Sequence, residues 1–200
     1  TEVAIIEMGA NHVGEIGFLC QIAAPTHGLI TNIGEAHAEG FASQEQKLAE
    51  KIKLFKNSDR VVVRDQTTLL QAFEKEAIPV YSWGSSEEAD LRLKGMSKNA
   101  NSTLLRLEDE AESFELNLPF QDEASIENAM HCIACCRLIG VPLNFLKQQI
   151  QSLEPIDMRL QHIEGINNNS LLLDHYNSDL RSLNIALDQL DQQAGHKQKI

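Results

Sequence analysis

The sequence predicts an α/β fold in which a mainly parallel sheet is flanked by helices. Strand and helix signals alternate up to Gly84, and short strands with polar interruptions follow between residues 90 and 118. Alternation of this kind is typical of parallel strands joined by helices, whereas closely spaced short strands indicate a small antiparallel edge. A further strand and helix near the end predict the first βα unit of a Rossmann-like domain.

The strands are predicted from short apolar runs, which suit strands buried on both faces, and from alternating runs at the antiparallel edge. They are expected at 3–7, 28–33, 60–64, 79–83, 90–96, 102–108, 112–118 and 170–174. The helices are recognised by apolar spacing and by boundary signals, such as Ser43 before the second helix and Pro25 after the first. They are expected near 15–23, 43–56, 66–76, 122–139, 143–152 and 179–194.

The segment LEPIDMRLQ is expected to link two domains, one over residues 1–157 and the start of another over 158–200. The chain opens in the middle of a predicted strand, without a signal peptide, which suggests a piece of a longer polypeptide.

Composition excludes some classes of function. Lys and Arg total 17 against 29 Asp and Glu, which gives a formal net charge of -12. Such a balance opposes binding to nucleic acid or to an anionic membrane surface, because phosphate contacts need clustered cations. No apolar run reaches the roughly 18 residues of a membrane span. We therefore expect neither a nucleic-acid nor a membrane partner.

Three of the four cysteines lie in IENAMHCIACCRLIG, a predicted buried helix, at positions 132, 135 and 136, and the fourth is Cys20. Free cysteine behaves as a small hydrophobic residue, so core packing is favoured over a zinc site. We expect a reduced, cytoplasmic protein.

Polar side chains follow the first two predicted strands. Glu7 ends the run VAIIE, and His37 follows the second strand, close to Asn32 and Glu35. Ligands of open α/β sheets bind at the carboxyl ends of the strands, so these side chains are candidates for one site. Lys51 lies in the lysine-rich helix KLAEKIKLFK, which by itself is typical of a solvated helix face. Taken singly, each of these residues has such an ordinary interpretation.

The sequences of the motifs and their spacing carry more information than the single residues. EMGANHVGEI, ITNIGEAHAEGF and LAEKIKLF, with Lys51 fourteen residues after His37, resemble the central domain of the Mur ligases. Within that family, Glu-Met-Gly-Ala-Asn resembles the branch that adds D-alanyl-D-alanine. The resemblance extends from Thr1 to about residue 190.

The resemblance implies an ATP-dependent amide ligase that joins D-Ala-D-Ala to UDP-MurNAc-tripeptide through an acyl phosphate. Glu7 and His37 match magnesium-binding positions, and Lys51 matches a lysine that the family carries as a carbamate. Lys51 and His37 are therefore the implied catalytic residues, and Glu7, His37 and Lys51 the implied metal ligands. The implied cofactors are ATP and Mg²⁺, with two ions in the whole enzyme.

Nucleotide contacts are implied further along the chain. Asn128 matches an asparagine that contacts adenine, and Arg159 matches an arginine at the junction to the next domain. The stretch LLLDHYNSD resembles a segment that places Asp174, Tyr176 and Asn177 near the nucleotide.

The chain departs from the family pattern at three places. Ala124-Ser125 replaces the usual His-Asn pair, His175 replaces a small or acidic residue, and Ser178-Asp179-Leu180 replaces Ala-Asn-Pro. The last form resembles members that are fused to an alanine racemase.

No G-x-x-x-x-G-K-[ST] motif occurs in these residues. The phosphate-binding loop of the family is therefore not among them, and we expect the 200 residues alone to be inactive. Two alternatives stay open: a folylpolyglutamate-synthase-like ligase, and a non-catalytic nucleotide-binding or interaction module of the same fold.

Overall fold

The computed structural model describes residues 3–9, 12–33, 41–99, 101–154, 161–174 and 180–192. The chain divides into two compact units, Thr1–Leu153 and Glu154–Ile200. The first unit contains a six-stranded sheet and the second a two-stranded sheet.

The sheet of the first unit runs in sequence order from β1 to β6. Its strands are β1 (His27–Leu29), β2 (Arg60–Arg64), β3 (Val80–Gly84), β4 (Leu91–Lys98), β5 (Thr103–Glu108) and β6 (Ser113–Leu118). The pairs from β1 to β4 are parallel, and β4, β5 and β6 pair antiparallel. The predicted α/β fold with an antiparallel edge is therefore confirmed.

Five α-helices belong to the described part of this unit. They are α1 (Glu15–Ala23), α2 (Gln44–Ile52), α3 (Thr67–Lys75), α4 (Glu123–Leu138) and α5 (Leu143–Ile150). Ser43 caps α2 by accepting a hydrogen bond of 3.2 Å from the backbone N–H of Gln46, as the sequence predicts. Asp122 caps α4 in the same way, at 2.7 Å from the N–H of Ser125.

The described residues of the first unit form two hydrophobic clusters. We call the one beside the antiparallel strands the meander core; it includes Leu91, Leu105, Leu107, Phe114, Leu116, Leu118, Met130 and Ile133. We call the other the β1 core; it contains Ile30, Ile52, Phe55, Val61, Val63, Leu69, Phe73 and Ile78. Helices α4 and α5 pack beside the first cluster, since α4 contacts β2 and β3 and α5 contacts β6.

The predicted strand at 3–7 is wrong. Residues 3–9 form neither strand nor helix, and the side chain of Ile5 is 97% exposed. An apolar run becomes a strand only where a neighbouring strand supplies hydrogen bonds and burial, and local sequence cannot supply either. For the same reason β1 pairs with β2 over three residues only, fewer than predicted.

The described part of the second unit contains an antiparallel pair, β7 (Gln161–Glu164) and β8 (Ser170–Leu173). Helix α6 (Leu180–Gln192) follows. β8 and α6 agree with the predicted strand and helix, whereas β7 lies in a stretch for which the sequence analysis predicts no strand.

The cysteines of α4 differ from one another. Cys135 and Cys136 pack against the meander core, as predicted, but Cys132 is exposed, so the prediction is wrong for this residue. The buried face of α4 is formed by residues such as Ile126, Met130 and Ile133, and Cys132 lies outside it.

Candidate functional site

The carboxyl end of β1 opens into a small pocket of about 90 Å³. Its lining comes from four parts of the chain: Met8, Ile16 of α1, residues 29–32 at the end of β1, and Lys51, Leu54 and Phe55 from α2 and the turn after it. A pocket at this end of a parallel strand is where open α/β sheets bind ligands. The structure therefore brings Lys51 together with the end of β1 and with the residue that follows Glu7.

Lys51 is half-buried, because it lies on the side of α2 that faces this pocket. Burial lowers the pKa of its ammonium group, and the nearby charge of Lys47 lowers it further. A lowered pKa increases the fraction of the neutral amine, which is the nucleophilic form. Lys51 is thus better suited to covalent chemistry than a solvated lysine.

The lysines around Lys51 do not form a uniformly solvated helix face, which is the ordinary interpretation of the lysine-rich segment KLAEKIKLFK. Lys53 and Lys56 are exposed, but Lys47 is only 5% exposed. The positions of α2 four residues apart share a face. Lys47 and Lys51 therefore lie on the buried side of α2, while Lys53 and Lys56 are exposed to solvent.

The predicted metal ligands are only partly described. Glu7 is exposed in the irregular segment 3–9, and His37 lies outside the described residues. The predicted approach of Glu7 to His37 therefore stays a prediction. Among the described residues, no three His, Cys, Asp or Glu side chains form a group that could hold a metal ion.

The predicted nucleotide-binding residues lie in both units. Asn128 is exposed on α4, and its neighbour Glu127 forms an ion pair of 3.1 Å with Arg64 at the carboxyl end of β2. Asp174 follows β8 and is half-buried. Arg159, Tyr176 and Asn177 lie outside the described residues.

Glu50 is a residue that the sequence analysis does not single out. Its side chain is only 1% exposed, and it accepts hydrogen bonds from Gly14 N–H at 2.7 Å and from Lys53 Nζ at 2.6 Å. Burial opposes ionisation most strongly, but the bonds from Lys53, Gly14 and the backbone of Ile16 together lower its pKa. The only sequence signal is the spacing of Glu50 and Lys53, which does not distinguish a buried pair from an exposed one.

A second buried polar contact connects β3 with α4. Trp83 Nε1 donates to His131 Nδ1 at 2.9 Å, and the guanidinium of Arg64 lies 5.6 Å from the centre of the Trp83 ring. Burial, with a contribution from the charge of Arg64, lowers the pKa of His131 to about 4. The imidazole is therefore neutral at physiological pH, with its proton on Nε2, for which no partner exists in the described part of the chain.

Comparison with solved structures defines the class of protein. A crystal structure of MurF from Acinetobacter baumannii superimposes with a TM-score of 0.80 and 25% identity, over 94% of this chain and 42% of that chain. L. casei FPGS has the same fold, with a TM-score of 0.62 at 15% identity. The chain thus has a fold that is shared by MurF and FPGS.

The family follows from the sequence comparison. Residues 1–136 match the Mur ligase middle domain, and the chain belongs to this family. A UDP-N-acetylmuramoyl-tripeptide–D-alanyl-D-alanine ligase of Haemophilus influenzae is 27% identical over 192 residues, covering 94% of this chain and 41% of the relative. The corresponding ligase of Bacillus subtilis is 25% identical, covering 100% and 44%. The chain therefore spans less than half the length of these relatives.

In the described residues, no helix has the length and apolar character that crossing a membrane requires.

Proposed function

We propose that the protein containing this chain is an ATP-dependent ligase that joins D-alanyl-D-alanine to UDP-N-acetylmuramoyl-tripeptide in peptidoglycan synthesis. The observation that carries the proposal is the pocket at the end of β1, where a half-buried Lys51 lies in a chain of the Mur ligase family. The relatives that cover 94% to 100% of the chain are named for this reaction. A MurF of Thermotoga maritima, similar in fold with a TM-score of 0.73, was solved in complex with ADP, in agreement with the use of ATP.

The environment of Lys51 fits a carbamate that serves as a magnesium ligand. A neutral amine is required to react with carbon dioxide, and burial beside Lys47 favours that form. Carbamylation replaces a cation by oxygen atoms, which are the ligands that Mg²⁺ prefers. Glu7, His37 and Lys51 would hold the metal, and two bound Mg²⁺ ions would neutralise charge on the ATP phosphates.

The reaction has two chemical steps. The terminal carboxylate of the tripeptide attacks the γ-phosphorus of ATP, which forms an acyl phosphate and releases ADP. The amine of D-Ala-D-Ala then attacks the acyl carbon, an amide bond forms, and phosphate leaves. In this proposal Asn128 orients the adenine, and Arg159, Asp174, Tyr176 and Asn177 also serve nucleotide binding.

Substitution of Lys51 in the full-length protein tests the site. We expect Lys51→Ala to lower the rate of ATP-dependent ligation by at least about 100-fold, beyond the usual effect of losing a residue that only supports a ligand. Lys51→Arg should be nearly as inactive, because the missing group is an oxygen ligand and not a positive charge. A small added carboxylate should restore part of the activity of Lys51→Ala.

The matched control is Lys56→Ala, which removes an exposed lysine of the same segment and should leave the rate near normal. Near-normal ligation by Lys51→Ala at saturating Mg²⁺ would contradict the carbamate.

The choice of substrate is tested by the same assay. Continued release of ADP over many turnovers should require both UDP-MurNAc-tripeptide and D-Ala-D-Ala, because the amine must consume the acyl phosphate. Folate with glutamate should not replace them. Release with folate and glutamate would favour the folylpolyglutamate-synthase-like alternative, whose structural similarity concerns the fold alone. Absence of release with either pair would favour a non-catalytic module. We also propose, from Ser178-Asp179-Leu180, a fusion to an alanine racemase, which the gene of the whole protein can test.

A further inference from the structure

The amino terminus of α1 has no cap of its own. Its N-cap position is Gly14, which provides no side chain and adopts a left-handed conformation with φ of 98°. The first N–H groups of a helix have no partner within the helix and need acceptors from elsewhere. For α1 the acceptor comes from another helix, because Gly14 N–H donates to Glu50 Oε1 of α2 at 2.7 Å and the backbone of Ile16 also bonds to this carboxylate.

Glu50 is held as a buried anion. A buried carboxylate is strongly unfavourable unless charges and hydrogen bonds compensate it. Here Lys53 provides the charge at 2.6 Å, and the amino terminus of α1 provides N–H donors and the positive end of its helix dipole. Glu50 therefore ties two segments that are 36 residues apart in sequence.

The two segments that Glu50 joins are those that form the candidate site. Lys51 is the next residue of α2 and lines the pocket at the end of β1. Ile16, whose backbone bonds to Glu50, lines the same pocket and is almost fully buried.

We propose that Glu50 is a positioning residue for Lys51, which fixes the amino terminus of α1 against the helix that carries Lys51. Glu50 contacts neither metal nor substrate in this proposal. It restricts the separation between Ile16 and Lys51 across the pocket, so that Lys51 is in place before the ion binds. The proposal rests on the proposed function, because it assumes that Lys51 is a metal ligand.

The test compares Glu50→Ala and Glu50→Gln in the full-length protein, with Glu74→Gln as a control that removes an exposed acid from α3. Glu50→Ala should raise the Mg²⁺ concentration for half-maximal activity by about 10- to 100-fold, the usual effect of losing a residue that orients a ligand. The rate at saturating Mg²⁺ should change much less. Glu50→Gln should be intermediate, because its amide oxygen can still accept from Gly14.

Two measurements are independent of turnover. Calorimetric titration with Mg²⁺ should show weaker binding to Glu50→Ala in the absence of substrates. Hydrogen exchange at Gly14 and Ile16 should become faster in this variant, while exchange in β2 should stay unchanged.

An unchanged Mg²⁺ requirement in Glu50→Ala would overturn the proposal, whether or not the variant is less stable. That outcome, combined with an inactive Lys51→Ala, would reject the role of Glu50 and leave the proposed function intact. An active Lys51→Ala would reject the metal site itself.

Discussion

The meander core and the β1 core involve the same six-stranded sheet, but they differ in the charged groups that are buried beside them. The meander core contains fully buried apolar side chains such as Leu105 and Leu118, and the buried polar residues of the same elements, Thr103 and His131, are uncharged at neutral pH. The region of the β1 core contains the pocket and buries charged groups beside it, Glu50 and Lys47.

This difference has a physical consequence. Apolar burial stabilises a fold at about 25 cal/mol per Å² and does not require particular partners. A buried charge is tolerated only where specific donors or acceptors surround it, so it contributes geometry more than stability. We infer that the meander core supplies most of the stability of the first unit. This stability offsets the cost of burying charged groups in the region near β1.

The largest effect on stability is expected in the meander core. Leu105→Ala deletes a fully buried side chain and should destabilise the protein by about 2–5 kcal/mol, because a cavity remains. Urea unfolding measures the loss. The Mg²⁺ requirement of the full-length protein should stay unchanged, and a shift comparable to that of Glu50→Ala would break the distinction between the two regions.

His131 should make the stability of the folded protein decrease in acid. Its folded-state pKa of about 4 lies below the unfolded value of 6.5, so the unfolded chain binds the proton first as pH falls. The stability is complete above pH 6.5 and should decrease by roughly 3 kcal/mol between pH 6.5 and pH 4. The pH dependence of unfolding should flatten in His131→Gln.

The smallest effects on stability are expected from two helix caps, one on α2 and one on α4, which allow the two regions to be compared. Ser43→Ala and Asp122→Ala each remove a side-chain cap and should each cost about 1 kcal/mol of stability. Their functional effects should differ, because α2 carries Lys51 and α4 does not. Mg²⁺ titration should detect weaker binding in Ser43→Ala only, and equal Mg²⁺ binding by both variants would count against the special role of α2.

The helices and most strands were predictable, because their signals are local. The boundaries of α1 and β2 agree with the prediction to the residue, since an apolar run or a helical spacing ends at a recognisable turn or proline. Cys132 shows the limit of this reasoning. Three cysteines within five positions of a helix look alike in sequence, but only the surrounding strands and helices decide which of them packs inward.

By itself, the sequence determined the α/β fold class, the order of most of its elements and the motifs that resemble the Mur ligases. The tertiary structure decided that residues 3–9 form no strand, that Lys51 is half-buried and Lys47 buried, and that Glu50 caps α1. It also decided the contact of Trp83 with His131, 48 residues apart. The physical reason is range: periodicity and capping act over one or two turns of chain, whereas burial, pairing and pKa depend on neighbours that only the folded protein brings close.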